Sequence, residues 1–391
     1  MSASRQPALV EPAVLRWARE SAAIEVRAVA RTLKVEESVV QAWEEGRQAV
    51  TLAKLKKLAT LYRRPLSVFF LPEPPVGFDV LRDFRRIGGL ERRMSPALAL
   101  EIRRANERRE AALDLASALG EPIDRSVVTA TLQETASMVA GRIRAALSVS
   151  VATQLSWDDE YAALRAWKAA VEQLGILVFQ TVKLPVNEAR GFSLVHDQLP
   201  VVVLNAADAP HGRIFTLMHE LAHIALREGG VCDLHEDGAG EIQRIETYCN
   251  RVAGEVLLPR ASLLAAYRTV IATPDTSLDS AIPNLSRRYR VSAEVVLRAL
   301  ALYGAVSARE YEVRREAFLQ SGKERKTRTA RADIARRALN WGGYRFARLA
   351  FSALDDDVID ISEATDYFGV KTKQLARVRR ELERVESGLS A

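Results

Sequence analysis

Thr216-Leu217-Met218-His219-Glu220-Leu221-Ala222-His223-Ile224-Ala225-Leu226 is the stretch around which the chain is organised. Within it His219-Glu220-Leu221-Ala222-His223 has the form H-E-x-x-H. On a helix, positions i and i+4 lie one turn apart on one face. Both imidazoles can then bind one tetrahedral Zn²⁺. Glu220 points in another direction and can reach a metal-bound water as general base. The apolar flanks Ile214, Phe215, Leu217, Leu221, Ile224, Ala225 and Leu226 predict that this helix is buried.

Working upstream, three apolar segments precede the helix. Ile176 to Thr181, Arg190 to Val195 and Pro200 to Asn205 read as strands, the last two as a hairpin turning at His196-Asp197-Gln198. A small antiparallel sheet leading into an H-E-x-x-H helix is the layout of zincin metallopeptidases, in which an edge strand can hold an extended peptide.

A catalytic metal needs a third protein ligand, with the fourth position left to water. The segment Glu241 to Pro259 reads as a helix whose inner face is Ile242, Ile245, Cys249, Val252, Ala253 and Val256. Glu246 lies beside that face, one turn before Asn250. A carboxylate is costly to bury alone, and metal coordination would account for it. Glu241 and Glu255 are its rivals as ligand.

The stretch Phe215 to Pro259 resembles the ImmA/IrrE family of zinc metallo-endopeptidases. The resemblance rests on the H-E-L-x-H helix and a later E-x-x-x-N-x-x-A-x-x-x-L-x-P helix, here Glu246, Asn250, Ala253, Leu257 and Pro259. It implies His219, His223 and Glu246 as zinc ligands and Glu220 as general base. Cys249 stands where Ala is common, and Val252 where an aromatic residue is common. Cys249 is read as a small buried residue. His235, in the polar loop Asp233 to Asp237, either stabilises a tetrahedral oxyanion or lies on the surface, and its polar neighbours favour the surface. Asn250 is a candidate for supporting the ligands. His211, His196 and Cys232 are assigned no chemistry.

Residues 1–75 read as four short helices, Pro12 to Ser21, Val26 to Leu33, Ser38 to Glu45 and Thr51 to Tyr62. The third ends in Trp43-Glu44-Glu45-Gly46. The pattern resembles the Xre/Cro-type helix-turn-helix family, whose motif ends in W-E-x-G and whose third helix reads the major groove. Ser38 and Gln41 are the candidate base readers. The exposed positions of that helix are expected to include Glu36, Glu37, Glu44 and Glu45, and carboxylates facing phosphate are unfavourable. DNA binding and protein recognition therefore both stand for residues 1–75.

Between these regions Ser95 to about Leu119 reads as a long helix, with Arg103, Arg104, Arg108 and Arg109 on a solvated face. Thr131 to Leu147 and Asp158 to Leu174 follow as helices. Towards the end of the core, Leu285 to Tyr303 reads as a turn at Val291-Ser292 followed by an apolar-periodic helix, and Ser307 to Leu319 continues as helix. Ser321 to Arg337 is strongly basic, a linker or a phosphate-binding face, and Ile361 to Leu375 has helix-turn-helix rhythm again.

At 391 residues, 48% hydrophobic and 27% charged, the chain has the make-up of a multi-domain globular protein. No apolar run reaches the roughly 18 residues of a membrane span. No secretory h-region is visible at the N-terminus, and two cysteines give no disulfide framework, so a cytoplasmic protein is expected. The +6 net charge is mild support for an acidic partner, but arginine excess also follows from GC-rich coding. The expected fold is α+β and mostly α-helical: a helix-turn-helix bundle at 1–75, a linker and helices at 76–174, a zincin-like core at 175–310, and a helical region at 311–391.

The resemblance implies a zinc-dependent endopeptidase acting on a protein partner, an Xre-type repressor, in a stress-response or mobile-element switch. The competing reading is a DNA-binding regulator or antitoxin-like protein whose zinc fold binds or senses, with operator DNA or a co-encoded toxin as partner. Glu220 favours catalysis, since a purely structural site has no use for a free carboxylate. Oligomer formation is left open by the sequence.

Overall fold

In the computed structural model, residues 6–75, 94–123, 128–227, 231–232, 240–273, 277–324 and 333–389 are described. The chain divides into two compact units, Met1–Arg104 and Ala105–Ala391. The segments 105–174, 175–310 and 311–389 thus share one unit.

The first unit holds α1 (Pro12–Ser21), α2 (Val26–Leu33), α3 (Glu37–Glu44) and α4 (Leu52–Tyr62), followed by a 3-10 turn at Leu66–Phe70. Val14, Leu15, Val29, Leu33, Val40, Trp43, Leu55, Leu58 and Phe69 are buried, so each helix contributes its i, i+3, i+4 stripe to one core. Lys34, in the left-handed conformation, stops α2 one turn before α3 begins. The W-E-x-G sequence acquires a physical reason here. Trp43 is core. Gly46 takes φ +74°, and a Cβ there would stand 3.0 Å from Pro12 Cγ.

Glu44 is not on the surface, as the sequence reading has it. Its carboxylate is buried and accepts from Arg19 Nε at 2.7 Å and Nη2 at 2.9 Å, tying α3 to α1. The partner lies 25 positions away in sequence, and helical periodicity alone carries no sign of it. The exposed carboxylates around α3 are Glu36, Glu37 and Glu45, and Ser38 and Gln41 are exposed with them.

Helix α5 (Pro96–Ala118) departs from its expected solvated face. Arg103 and Arg109 are buried. Arg103 donates to the carbonyls of Tyr62 and Arg63, closing the C-terminus of α4. In the second unit Arg109 donates to Gln198 O, and Arg108 stacks 3.5 Å from the centre of the Trp341 ring. These arginines bind carbonyls and rings rather than water.

The second unit continues with α6 (Ala136–Ala146), the short α7 (Val151–Leu155) and α8 (Glu160–Gln173). Strands β1 (Leu177–Thr181), β2 (Gly191–Leu194) and β3 (Val201–Asn205) follow, then the catalytic-motif helix α9 (Pro210–Leu226) and β4 (Val231–Cys232). The sheet order is β1-β3-β2-β4. β2 and β3 form the expected antiparallel pair, Phe192 facing Val203. β1 pairs with β3 in parallel, so the sheet is mixed rather than antiparallel throughout. β1 and β3 are buried along their whole length, as strands covered on both faces are.

Helices α10 (Glu241–Leu257), α11 (Arg260–Ile271), α12 (Leu278–Tyr289), α13 (Ala293–Leu302) and α14 (Ala308–Glu324) complete the core, and α15 (Ile334–Gly342), α16 (Tyr344–Asp355), α17 (Ile361–Phe368) and α18 (Thr372–Leu389) follow. The turn expected at Val291-Ser292 stands between α12 and α13, where Arg290 turns left-handed and Ser292 caps the new start. Among the described residues no helix is long and apolar enough to cross a membrane.

Breaking a buried ion pair from one side leaves an uncompensated charge. Glu44→Ala is therefore expected to destabilise the first unit by about 3 kcal/mol. Glu45→Ala, on the surface, should stay within about 0.5 kcal/mol. Hydrogen exchange of the buried amides of α1–α4 measures both.

Candidate metal centre

Helix α9 is built to bury polar groups. Pro210 opens it at a position where a missing N–H costs nothing, and Arg227 ends it in the left-handed conformation. Every residue from Arg213 to Ala225 is buried. The apolar ones fill the core on all sides of the helix, so His219, Glu220 and His223 are held in a rigid, dry setting.

The structure brings His219, His223 and Glu246 together. The two Nε2 atoms lie 2.9 Å apart. Glu246 Oε2 is 3.2 Å from His219 Nε2, and Oε1 is 3.3 Å from His223 Nε2. A tetrahedral site with metal–nitrogen bonds of about 2.0–2.1 Å has edges of roughly 3.3 Å. The three donors thus stand near the spacing of one tetrahedral face.

Helix α10 supplies more than the carboxylate. Its Asn250, one turn beyond Glu246, accepts through Oδ1 from His219 Nδ1 at 2.9 Å. That bond commits the His219 proton to Nδ1 and turns the lone pair of Nε2 toward Glu246 and His223. The fully buried Cys249 hydrogen-bonds His223 in the same manner from the adjacent position. The E-x-x-x-N spacing has its cause here, since ligand and ligand-orienting residue must share one helix face. The far end of α10 is fixed in turn: Arg144 donates to Val256 O at 2.7 Å, and the buried Gln154 donates to Leu257 O and Tyr289 O.

The electrostatics match a cation site. Burial raises the proton affinity of Glu246, but hydrogen bonds from both histidines outweigh it and hold the carboxyl down at about 2. Burial works to lower His223, but Cys249 and Glu246 together raise it well above the usual imidazole range. Desolvation raises Glu220, against the neighbouring histidines. Both oxygens of the buried Glu220 carboxyl lack a partner at ordinary hydrogen-bond length among the described residues. Two imidazole lone pairs, an ionised carboxylate and an unsatisfied second carboxyl are a donor set that a divalent metal and its water satisfy.

Residues 171–301 match the IrrE N-terminal-like domain, Peptidase_M78. Over these residues the chain is similar to the ImmA/IrrE family. The radiation response metalloprotease IrrE of Deinococcus radiodurans is 33% identical over 104 residues, which is 26% of this chain and 30% of that relative. The match therefore spans under a third of the relative's length. The IrrE-like domain contains all of β1–β3, α9 and α10, and with them the whole His-His-Glu cluster.

The other residues singled out from sequence fall elsewhere. Glu255, a rival for the third ligand, is not in the cluster, and the side chain of Glu241 lies outside the described residues. His235 also lies outside the described residues. His196 pairs with Asn106 at 3.3 Å, and burial pushes its imidazole down to about 4. His211 opens α9, away from the cluster. Two polar residues went unremarked in the sequence: Ser193 on β2 and Thr216 on α9, both fully buried. The signal that could have found them is a pairing of periods, with Gly191 and Ser193 two apart on a strand and Thr216 and Glu220 four apart on a helix.

Removing a residue that orients a metal ligand costs 10–100-fold in affinity as a rule. Asn250→Ala should weaken metal binding by about that factor, and Glu246→Ala by more. Because the proton affinity of His223 is raised, metal must displace a proton there at neutral pH, so affinity should fall as pH drops from 8 to 6. Competition titrations with a chelator at the two pH values check both expectations.

Proposed function

We propose that the chain is a zinc-dependent endopeptidase that cuts a protein partner, an Xre-type transcriptional repressor, within a cytoplasmic transcriptional switch. The observation that carries this reading is Glu220: a fully buried carboxyl beside the His-His-Glu cluster, with no partner at ordinary hydrogen-bond length among the described residues. A structural zinc site closes with four protein ligands, whereas this cluster offers three and keeps a carboxylate in reserve.

Zinc, when bound by His219, His223 and Glu246, supplies a Lewis acid for the scissile carbonyl and acidifies its water. The remaining work falls to the chain. Glu220 takes the proton from the attacking water, and its burial raises its basicity for that step. It then gives the proton to the departing amine. Asn250 keeps His219 in the tautomer that the site requires. β4 pairs with β2 only at Gly191 and Phe192. Among the described residues no strand pairs Ser193 and Leu194 on that side, so an extended substrate can add there.

A second reading is favoured by the first unit. Glu44 turns inward to Arg19, which removes one carboxylate from the face that carries Ser38 and Gln41. That face suits duplex DNA better than the sequence indicates, and a regulator or antitoxin-like protein that senses through its zinc fold would use it.

The deciding experiment incubates the full, zinc-loaded chain with an Xre-type repressor encoded beside it. Cleavage by the native protein and loss of cleavage by at least about a thousandfold in Glu220→Gln, at unchanged zinc content, is the expected result. Retained zinc with no Glu220-dependent cleavage, together with an operator shift that Ser38→Ala/Gln41→Ala abolishes, would establish the regulator instead.

A further inference from the structure

We propose that Ser193 is the positioning residue for the Glu220 carboxyl, with Gly191 and Thr216 setting the distance between the strand and the helix that carry them. The inference rests on the peptidase reading of the site.

The argument begins with two repeats that coincide. On β2, Gly191 and Ser193 are two residues apart and face the same side, a separation of about 6.6 Å. On α9, Thr216 and Glu220 are one turn apart, about 6 Å along the axis. Strand and helix therefore meet at two rungs. At the first, Gly191 faces Thr216: a Cβ on Gly191 would stand 2.5 Å from Thr216 Cγ2 and 2.8 Å from Val203 O. Only glycine lets α9 approach the strand this closely. At the second rung, the Ser193 hydroxyl faces the Glu220 carboxyl.

Among the described residues nothing else holds that carboxyl. Ser193, Thr216 and Glu220 are all fully buried. Neither oxygen of Glu220 has a partner at ordinary hydrogen-bond length, and neither does Ser193 Oγ. A glutamate carboxyl turns about a broad, two-fold torsion, so an unsupported one spends its time in unproductive orientations. A hydroxyl on the sheet side can donate to one oxygen and leave the other, on the metal side, free to accept a proton. Ser193 approaches from a strand rather than from the helix of Glu220 itself. Its register is pinned by the Ser193–Val202 pair, so it acts as a fixed stop.

The test uses acetohydroxamate, whose hydroxyl hydrogen-bonds a general-base carboxylate when the compound chelates the metal. Calorimetry on the full zinc-loaded chain compares the native protein with Ser193→Ala, Ser193→Thr and Glu220→Gln, with zinc content measured for each. Ser193→Ala is expected to keep its zinc and to bind acetohydroxamate about tenfold more weakly, the scale of one hydrogen bond to a charged group. Ser193→Thr, which keeps the hydroxyl, should recover to within about threefold, and Glu220→Gln should lose at least as much as Ser193→Ala. Should Ser193→Ala fail to fold, Ser193→Cys, nearly isosteric and a poor donor, takes its place with the same expected loss. Affinity within about twofold of native in the Ala or Cys variant, equal weakness in the Thr variant, or loss of zinc would overturn the proposal. Failure of the peptidase reading looks different: no Glu220-dependent cleavage, with the hydroxamate series unaffected.

Discussion

A carboxylate kept from water beside two imidazoles is the constraint that the rest of the second unit answers to. Glu220 and His219 have no solvent exposure at all, and most of α9 around them is buried and apolar. Burying such groups without partners costs several kcal/mol each. The fold meets this cost locally, by bringing Glu246 and Asn250 from α10 and Ser193 from β2 against the polar stripe. It also fixes those elements from behind. The C-terminal carbonyls of α10 are taken by Arg144 and Gln154, and the Tyr303 hydroxyl donates to Leu258 O at 2.8 Å. The ligand helix can neither slide nor fray at that end. The geometry of the three donors thus depends on residues far outside the motifs.

What the sequence could tell follows from this distinction. The H-E-x-x-H helix and the Glu246–Asn250 spacing were legible because each is a local period on one helix, and a period survives without knowledge of neighbours. The hairpin of β2 and β3 was legible for the same reason. The parallel pairing of β1 with β3 was not, since a buried run of Leu177 to Phe179 says that both faces are covered but not which strand lies alongside. The long-range partners were hidden altogether. Arg19 for Glu44, the Tyr62 carbonyl for Arg103 and Gln198 O for Arg109 all lie tens of residues away. In each case a charged residue on a helix looks solvated until its partner is known. Glu44 shows the functional consequence, because a residue counted against nucleic acid turns out to be structural.

The helices beyond the IrrE-like domain bear on the same site through the sheet. β1 is an outer strand, and an uncovered edge is a liability. The junction of α15 and α16 lies against it. Gly343 there has φ +79°, and a Cβ on it would stand 2.8 Å from both Val178 O and Glu172 Oε1. Tyr344 N donates to Glu172 Oε1 at 3.0 Å, so a carboxylate of α8 caps the start of α16. Lys168, one turn before Glu172 and equally buried, lies 4.5 Å from the centre of the Tyr344 ring, and burial pushes its ammonium down to about 8. A purely apolar contact would hold these helices as well, but it would tolerate sliding. A buried lysine over the Tyr344 ring, a helix cap and a glycine that admits no side chain specify one register. With β1 covered in that register, the strand backbone left unpaired among the described residues is that of Ser193 and Leu194 on β2, beyond its short pairing with β4. The C-terminal helices therefore bear on the sheet without approaching the His-His-Glu cluster: they cover its β1 edge.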